Sequence, residues 1–413
     1  MTERSEAGVM TQWNEGIGQL GRPGHDDERT EEPQEPVRVC VVGPLPPPMG
    51  GIARGMHMIR RQALRHPGVE LEVIDIAVRW RAVHDFSLVK RAIDGARQLT
   101  AGAWALLRTV AGGKTDVVHV KTSGGLGVVR DLVLLIIARS ARLPVVYQLH
   151  FGRVPQIAEA NSLEWRLMTR VIRRAKVVVL DRHTEAAIAR HLPGARVGRM
   201  PNGVDLAELP MPRPDRGGPR TALFVGWVLR PKGIEDLLAA WIEVGSPEWR
   251  LLVVGPCDEA YLRSLRRTFG ALDSVSFLGE QPHSRAWELM AECDLFVLPS
   301  HTEGFPNVVV EAMALGRAIV STDVGAVAEM LADDCGVVVP PARPALLAPA
   351  LATLMNDPAR RRELGDHARA KATREYSLDR VFDRHVALWH EVVSASSPHP
   401  TALPAPRPPG RTR

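Results

Sequence analysis

The feature that most constrains the fold is a regular alternation of short apolar segments with amphipathic helical patterns, which occurs twice along the chain. Such segments are typical of strands in a parallel sheet, because the connecting helices bury both faces of that sheet. The pattern stops at a segment rich in proline and glycine, 209–219, and then restarts. Strands are predicted at 37–42, 117–120, 145–149, 177–180, 222–225, 251–254, 275–278, 295–298 and 318–321. We therefore expect an α/β protein with two Rossmann-like domains joined by a linker.

The two ends of the chain lack this pattern. Residues 1–36 are polar and without sustained periodicity, which predicts a disordered leader, and 394–413 form a proline-rich tail that cannot build a core. No segment approaches the ~18 uninterrupted apolar residues of a membrane-spanning helix. The four cysteines stand far apart, without the spacing of metal ligands, and favour a reduced, cytoplasmic location.

The charge balance narrows the range of partners. Lys and Arg number 52 against 47 Asp and Glu, a formal net charge of +5, which suits an anionic substrate or an anionic membrane surface. The basic residues are mostly scattered, aromatic residues make up 5%, and no nucleic-acid-binding motif stands out. We expect no nucleic acid partner.

Ligands of open α/β sheets bind at the carboxyl ends of the strands, so the residues that follow each strand are the candidates for a site. The strongest motif follows the strand at 295–298, where a loop with Glu303 and Gly304 leads into a helix that begins at Asn307 and carries Glu311. Gly304 lets the backbone approach a ligand, and the free N–H groups of the helix start suit a phosphate. Two carboxylates beside an anion site indicate hydrogen bonds from sugar and ribose hydroxyls. The alternative is structural, with Glu303 capping the helix and Glu311 solvated.

A second motif, at 223–241, is interpreted as a strand, a short loop and a helix. Gly226 leaves room at the end of the strand, and Arg230 and Lys232 follow in the loop. Cations in this position can neutralise a diphosphate. The alternative is a solvated basic loop.

Two weaker signals lie in the first predicted domain. His150 ends the strand at 145–149, where a single histidine is often structural. Gly50 and Gly51 precede a helix predicted to start near residue 52, so their backbone could lie against a phosphate. Their spacing is not that of a dinucleotide-binding fingerprint.

Together these motifs resemble a known family. Two acidic residues separated by seven others within EGFPNVVVEAMALG are similar to the signature of family 4 retaining glycosyltransferases, which have the GT-B fold. Residues 200–205 resemble the end of that family's first domain, and 375–393 resemble the final helix that crosses back to it. The family usually has Gly-Arg where this chain has Gly226 and Trp227, and Arg230 could supply the missing charge.

The resemblance implies roles for these residues. In the family the first glutamate binds hydroxyls of the donor sugar and the second binds the nucleotide ribose, while a histidine at the position of His150 lies near the donor sugar. The implied catalytic residues are Glu303, His150, Lys232 and Arg230. The implied donor-binding residues are Gly50, Gly51, Gly226, Arg230, Lys232, Gly304, Phe305, Asn307, Val308 and Glu311.

The resulting expectation is a retaining GT-B glycosyltransferase of polysaccharide biosynthesis. Two Rossmann-like domains face a central cleft: 37–208 on the acceptor side and 220–378 on the nucleotide-sugar side, with 379–393 as the crossover helix. The co-substrate is a nucleotide diphosphate-sugar, no cofactor is needed, and the acceptor is a glycan, a lipid-linked molecule or a small molecule. The chain has no Asp-x-Asp motif, so transfer is expected without a metal.

Two other functions remain open, a nucleotide-sugar epimerase of the same fold and a non-catalytic nucleotide-sugar-binding scaffold of a polysaccharide assembly. The segment 79–114 adds a further hypothesis, because it carries seven basic and two acidic residues beside apolar ones. It could attach the protein peripherally to the anionic inner face of a membrane. The alternative is a helix packed on the first domain with a solvated basic face.

Overall fold

The predicted alternation of strands and helices forms two parallel β-sheets within one compact unit of the chain. The computed structural model describes residues 35–47, 50–77, 88–211, 220–270 and 273–396, with the backbone alone for 88–94. Most of the predicted leader, linker and tail, and the start of the basic segment, lie outside the described residues. These stretches are 1–34, 212–219, 397–413 and 78–87.

The first sheet has the strand order β2-β1-β3-β4-β5-β6. Its strands are β1 (Val37–Gly43), β2 (Val69–Asp75), β3 (Val117–Thr122), β4 (Val145–Leu149), β5 (Lys176–Val179) and β6 (Val197–Arg199). Its helices are α1 (Gly51–Ala63), α2 (Leu88–Ala111), α3 (Gly127–Ser140), α4 (Val154–Glu159), α5 (Leu163–Ile172) and α6 (Arg182–His191).

The second sheet has the order β12-β11-β10-β7-β8-β9. Its strands are β7 (Arg220–Val225), β8 (Trp249–Val254), β9 (Val275–Gly279), β10 (Leu295–Leu298), β11 (Ala318–Thr322) and β12 (Val337–Val339). Its helices are α7 (Ile234–Val244), α8 (Glu259–Phe269), α9 (His283–Glu292), α10 (Asn307–Ala314), α11 (Val327–Met330), α12 (Pro344–Asn356) and α13 (Pro358–Lys371). The last described helix is α14 (Leu378–Ser394).

Helix α14 belongs spatially to the first sheet, although it follows the second in the chain. A single turn of π-helix, Ala372–Tyr376, leads into it, and Val204 exchanges backbone hydrogen bonds of 2.8 Å with Tyr376 and Leu378. Phe382 and Trp389 of α14 then pack with α1 against β1, β3 and β4. We call residues 35–211 together with α14 the first half, and residues 220–377 the second half.

Both faces of the first sheet are covered, which explains why β3 and β4 are buried along their whole length. One face packs against α2, α3 and α5, and the other packs against α1 and α14. A loop follows the carboxyl end of β3 and that of β4, before α3 and α4 begin. The α/β fold class and the crossing helix predicted from the sequence are confirmed. None of the helices among the described residues is long and apolar enough to cross a bilayer.

Candidate active site

The loops that follow β4 and β10 bring the two halves into direct backbone contact. A Cβ atom added at Gly152, in the loop after β4, would lie 1.9 Å from the carbonyl oxygen of Glu303, in the loop after β10. A Cβ atom added at Gly304 would lie 3.2 Å from the backbone nitrogen of Gly152. Glycine is therefore needed at position 152, because any side chain there would push the loops apart, whereas a side chain at position 304 would require its neighbours to shift slightly. His150, the first residue after β4, stands two positions before Gly152 in the chain.

Glu303 is held by two donors. Lys232 Nζ lies 2.6 Å from Glu303 Oε1, and Ser300 Oγ donates to the same oxygen at 2.7 Å. The structure therefore brings together Glu303 and Lys232, two of the residues singled out in the sequence. It excludes the alternative in which Glu303 caps the following helix, because no side chain caps the start of α10.

Lys232 reaches Glu303 because of the way its loop folds. Arg230–Lys232 form a single 3-10 turn, which ends at Gly233 with a positive φ of 70°. A Cβ atom at Gly233 would lie 1.9 Å from the carbonyl oxygen of Pro299, and the N–H of His301 donates to the carbonyl of Pro231 at 2.8 Å. The loop after β10 therefore docks closely on this turn, and the docking sets Lys232 beside Glu303.

The starts of α1 and α10 meet at the same edge. A Cβ atom at Gly51 would lie 3.4 Å from Nδ2 of Asn307, the first residue of α10. Neither helix start has a side-chain cap, so the first N–H groups of both helices have no partner within their own helix. The side-chain amide of Asn202 donates to Asn307 Oδ1 at 2.8 Å. Two helix N-termini that converge in this way suit an anion such as a diphosphate.

Glu311 lies one helical turn after Asn307 on α10 and is covered by a residue that sequence analysis did not identify. Arg54 of α1 donates to Glu311 Oε1 from Nη1 at 2.7 Å, while its guanidinium lies 4.5 Å from the ring centre of Trp287. His283 Nε2 is 3.4 Å from the same carboxylate oxygen and hydrogen-bonds to Arg54. The Glu311 side chain is only 4% exposed, so the alternative of a solvated Glu311 is wrong.

Burial governs the charges of this cluster. It raises the pKa of Glu311 to about 7, although the positive charge of Arg54 favours the ionised form. Burial, and then the positive charge of Arg54, lower the pKa of His283 to about 4, so this imidazole is neutral at neutral pH. The arginine therefore carries the positive charge of the cluster.

The remaining predicted residues of the second half lie apart from this contact. Arg230 is 76% exposed and pairs with Glu235 at 3.3 Å, because the 3-10 turn points its side chain toward the start of α7. The structure therefore does not bring Arg230 to Glu303, and its assignment as a replacement for the family's arginine has no support from the geometry. Gly226 lies close to Gly255, since a Cβ atom added at Gly255 would lie 1.9 Å from the Gly226 carbonyl oxygen.

Phe305 and Val308 have packing contacts. Phe305 is buried with its ring edge-on to Tyr376, at 5.7 Å between ring centres. Val308 is half-buried against the core of the second half. Their assignment to donor binding stays a prediction.

His150 belongs to a buried polar cluster at the carboxyl ends of β3 and β4. His119 and Lys121 of β3 and Gln148 of β4 are almost fully buried, together with His385 of α14. The imidazole rings of His119 and His385 stack at 5.8 Å. Among the described residues, four buried atoms of this cluster have no hydrogen-bond partner: Nε2 of His119, His150 and His385, and Oε1 of Gln148. This buried cluster was not predicted from the sequence, although the polar residues that alternate within the apolar strand VVHVKT were a usable signal.

Burial also controls titration in this cluster. It lowers the pKa of Lys121 to about 7 and that of His385 to about 3, and the pKa of His150 falls well below its usual value. Burial also lowers the pKa of His119 well below its usual value, so all three imidazoles are neutral at neutral pH. Within the described part of the chain, no group of three His, Cys, Asp or Glu side chains is close enough to hold a metal ion.

Two Rossmann-like halves that face each other across a cleft, with a last helix returning to the first sheet, define the GT-B class of glycosyltransferases. Residues 49–208 match the family model for Glycosyltransferase Family 4, and 210–371 match that for Glycosyl transferases group 1. The D-inositol 3-phosphate glycosyltransferase of Xylanimonas cellulosilytica is 30% identical over 85% of this chain and 94% of its own length. The chain belongs to glycosyltransferase family 4.

Other similarities are partial or structural. The glycogen synthase of Mycobacterium tuberculosis is 31% identical over 46% of this chain, and the match spans about half of that relative, 47%. The solved structure of sucrose-phosphate synthase from Thermosynechococcus elongatus superposes with a TM-score of 0.69 over 87% of this chain and 100% of its own, at 20% identity. At that identity the likeness shows the shared fold.

Proposed function

We propose that the protein transfers a sugar from a nucleotide diphosphate-sugar to an acceptor hydroxyl with retention of the anomeric configuration. The observation that carries the proposal is the convergence, in one cleft, of the starts of α1 and α10 with the Lys232–Glu303 pair. This arrangement supplies an anion site next to a fixed carboxylate that can accept hydrogen bonds from sugar hydroxyls. A nucleotide diphosphate-sugar is a ligand with both chemistries.

The roles follow from position. The diphosphate lies between Gly50, Gly51 and Asn307, with Lys232 as its cation. Glu303 binds hydroxyls of the sugar, and His150 approaches that sugar from the first half. Glu311, one turn deeper on α10, binds the ribose.

The reaction proposed is a displacement on one face of the sugar. The acceptor oxygen bonds to the anomeric carbon as the bond from that carbon to the diphosphate oxygen breaks, and the departing oxygen takes the acceptor's proton. Lys232 and the N–H groups of the helix starts stabilise the charge that develops on the diphosphate. These groups can neutralise the negative charge of the diphosphate without a metal ion.

The acceptor side is the first half, and its α2 supports peripheral attachment to a membrane. Leu106 faces the core, whereas Trp104 and Leu107 are 60% and 51% exposed, with the Arg108 guanidinium over the Trp104 ring. An apolar outer face beside basic residues fits an anionic bilayer surface. Vesicle flotation tests this: the protein should float with anionic vesicles at low salt and not at high salt. Absence of salt-sensitive flotation would leave α2 as a packed helix.

The experiment for the function starts with a thermal-shift screen of uridine, guanosine and adenosine diphosphate sugars, because a ligand raises the melting temperature according to its affinity. With the stabilising donor, Glu303→Ala should lose turnover at saturating donor while still binding nucleotide. Glu311→Ala should chiefly weaken nucleotide binding, by about ten- to a hundredfold for a lost hydrogen bond to a charged group.

Glu243→Ala, which removes an exposed glutamate of α7, is the matched control and should behave as wild type. A sugar–acceptor product separates transfer from epimerisation, and any turnover excludes a non-catalytic scaffold. Wild-type turnover in Glu303→Ala at saturating donor would refute the assignment.

A further inference from the structure

Arg54 lies in the cleft but was not predicted from the sequence as a site residue. It comes from α1 of the first half, yet its guanidinium is buried among Glu311, His283 and Trp287 of the second half. The ion pair sits one helical turn from each of the two helix starts, since Arg54 lies one turn after Gly50 and Glu311 one turn after Asn307. Arg54 is therefore inside the proposed donor site.

The contact conflicts with ribose binding as it stands. Glu311 Oε1 already accepts a hydrogen bond from Arg54, and the carboxylate is 4% exposed. A ribose hydroxyl can reach Glu311 only if the side chain that covers it moves. Arg54 provides the charged contact to Glu311 and stacks on Trp287, so its guanidinium occupies space that a nucleoside needs.

Of the two basic residues of the second half that the sequence assigned to the diphosphate, only Lys232 lies beside Glu303 in the described part of the chain. Arg230 is exposed and paired with Glu235. Lys232 is already paired with Glu303. Arg54 is a guanidinium within one turn of the convergent helix starts, and guanidinium groups bind phosphate oxygens in pairs.

We propose that Arg54 is a donor-binding residue that exchanges partners, leaving Glu311 when the nucleoside enters and binding the donor's diphosphate. This inference rests on the proposed function. It assigns to the first half a cation for the leaving group, in addition to Lys232 of the second half. Arg54 also couples the halves, because the same side chain contacts Glu311 in the free protein and the diphosphate in the complex.

The test separates the contribution of the nucleoside from that of the diphosphate. Isothermal titration measures binding of a nucleoside without phosphates and of its diphosphate, with the base that the wild type prefers, to wild type and Arg54→Met. Methionine keeps an apolar stem over Trp287 and removes the charge. We expect the variant to bind the diphosphate at least about tenfold more weakly, and the nucleoside several-fold more tightly because no ion pair must break.

Two further variants complete the design. Arg60→Met removes an exposed arginine of the same helix and should leave both affinities at wild-type values. Arg54→Lys keeps the charge without the planar fork and should recover part of the diphosphate affinity. If both Arg54 variants have a lower melting temperature than wild type and Arg54→Lys recovers none of the diphosphate affinity, Arg54 is structural and the proposal fails.

The outcomes also separate this inference from the function on which it rests. If wild type binds no nucleoside diphosphate, the proposed function itself fails. If wild type binds the diphosphate but Arg54→Met changes both affinities by the same factor, or leaves diphosphate binding unchanged, the exchange is refuted and the proposed function stands.

Discussion

Replacing Gly152 with alanine tests whether the contact between the two halves sets the geometry for transfer. The added Cβ atom would lie 1.9 Å from the Glu303 carbonyl oxygen, 2.7 Å from its carbon and 3.1 Å from Cα of Gly304. All three are backbone atoms, so no side chain can rotate away to make room. The φ angle of Gly152 lies outside the positive region, so the obstacle is the neighbouring loop and not the backbone conformation.

The size of the effect follows from these distances. Real Cβ atoms essentially never come within 3.0 Å of such neighbours, so the loops after β4 and β10 must separate by at least about 1 Å. Glu303 lies in one of these loops and His150 two residues before the other contact point. A misplacement of about 1 Å costs roughly a hundredfold in rate when it affects reacting groups. We expect Gly152→Ala to lower turnover by that order.

The assay is steady-state transfer at saturating donor and acceptor, with thermal unfolding measured in parallel. Gly55→Ala, on α1, is the matched control, because its added Cβ atom would have no neighbour within 4 Å. Alanine in a helix is about 0.5–1 kcal/mol more favourable than glycine, so the control should keep its activity and gain slightly in stability. The reasoning is refuted if Gly152→Ala keeps wild-type turnover and melting temperature.

Three other predictions concern charge. Lys232→Ala should lower turnover about a hundredfold or more while exhaustive chelation changes little; loss on chelation that magnesium restores would contradict the role of Lys232 as the cation. Glu311 has a pKa of about 7 in the folded protein against an ordinary 4.5. As pH rises from 4.5 to 7, the free energy of unfolding of the wild type should therefore fall by up to about 3 kcal/mol relative to that of Glu311→Gln. Denaturant titrations at pH 5 and 8 measure this, and parallel curves would contradict it. His385 has a pKa of about 3, below the ordinary 6.5. As pH falls below 6.5, the free energy of unfolding of the wild type should therefore decrease by up to about 1.4 kcal/mol per pH unit more than that of His385→Leu. Equal acid sensitivity of the two proteins would show that His385 is not buried in its neutral form.

The central strands were predictable because they are buried on both faces. Runs such as VVYQL and LFVL have few polar residues, and the predicted strands at 145–149 and 295–298 match β4 and β10 in both bounds. Strand β2 was missed, because it lies at the edge of the first sheet and alternates polar with apolar residues in VELEVID. The short strands β6 and β12 are edge strands as well.

The candidate site was predictable only where local sequence sets the geometry. Glu303, Lys232 and Asn307 stand at strand ends and helix starts, which local patterns reveal. Arg54 was not identified, because its partner Glu311 is distant in the chain and only the packing of the halves brings them together. Arg230 was assigned to the site as a loop cation that could supply the charge missing at Trp227, but the turn directs its side chain to Glu235.

The return of α14 to the first sheet has a consequence for biosynthesis. Phe382 and Trp389 fill the core between β1, β3 and α1, yet the ribosome makes them after the whole second half. Residues 35–211 therefore leave the ribosome with one apolar face of their sheet incompletely covered, and exposed apolar surface of this kind promotes aggregation. Until α14 is made, we expect this uncovered face to bind chaperones, and a ribosome stalled before Leu378 would hold residues 35–211 in that state.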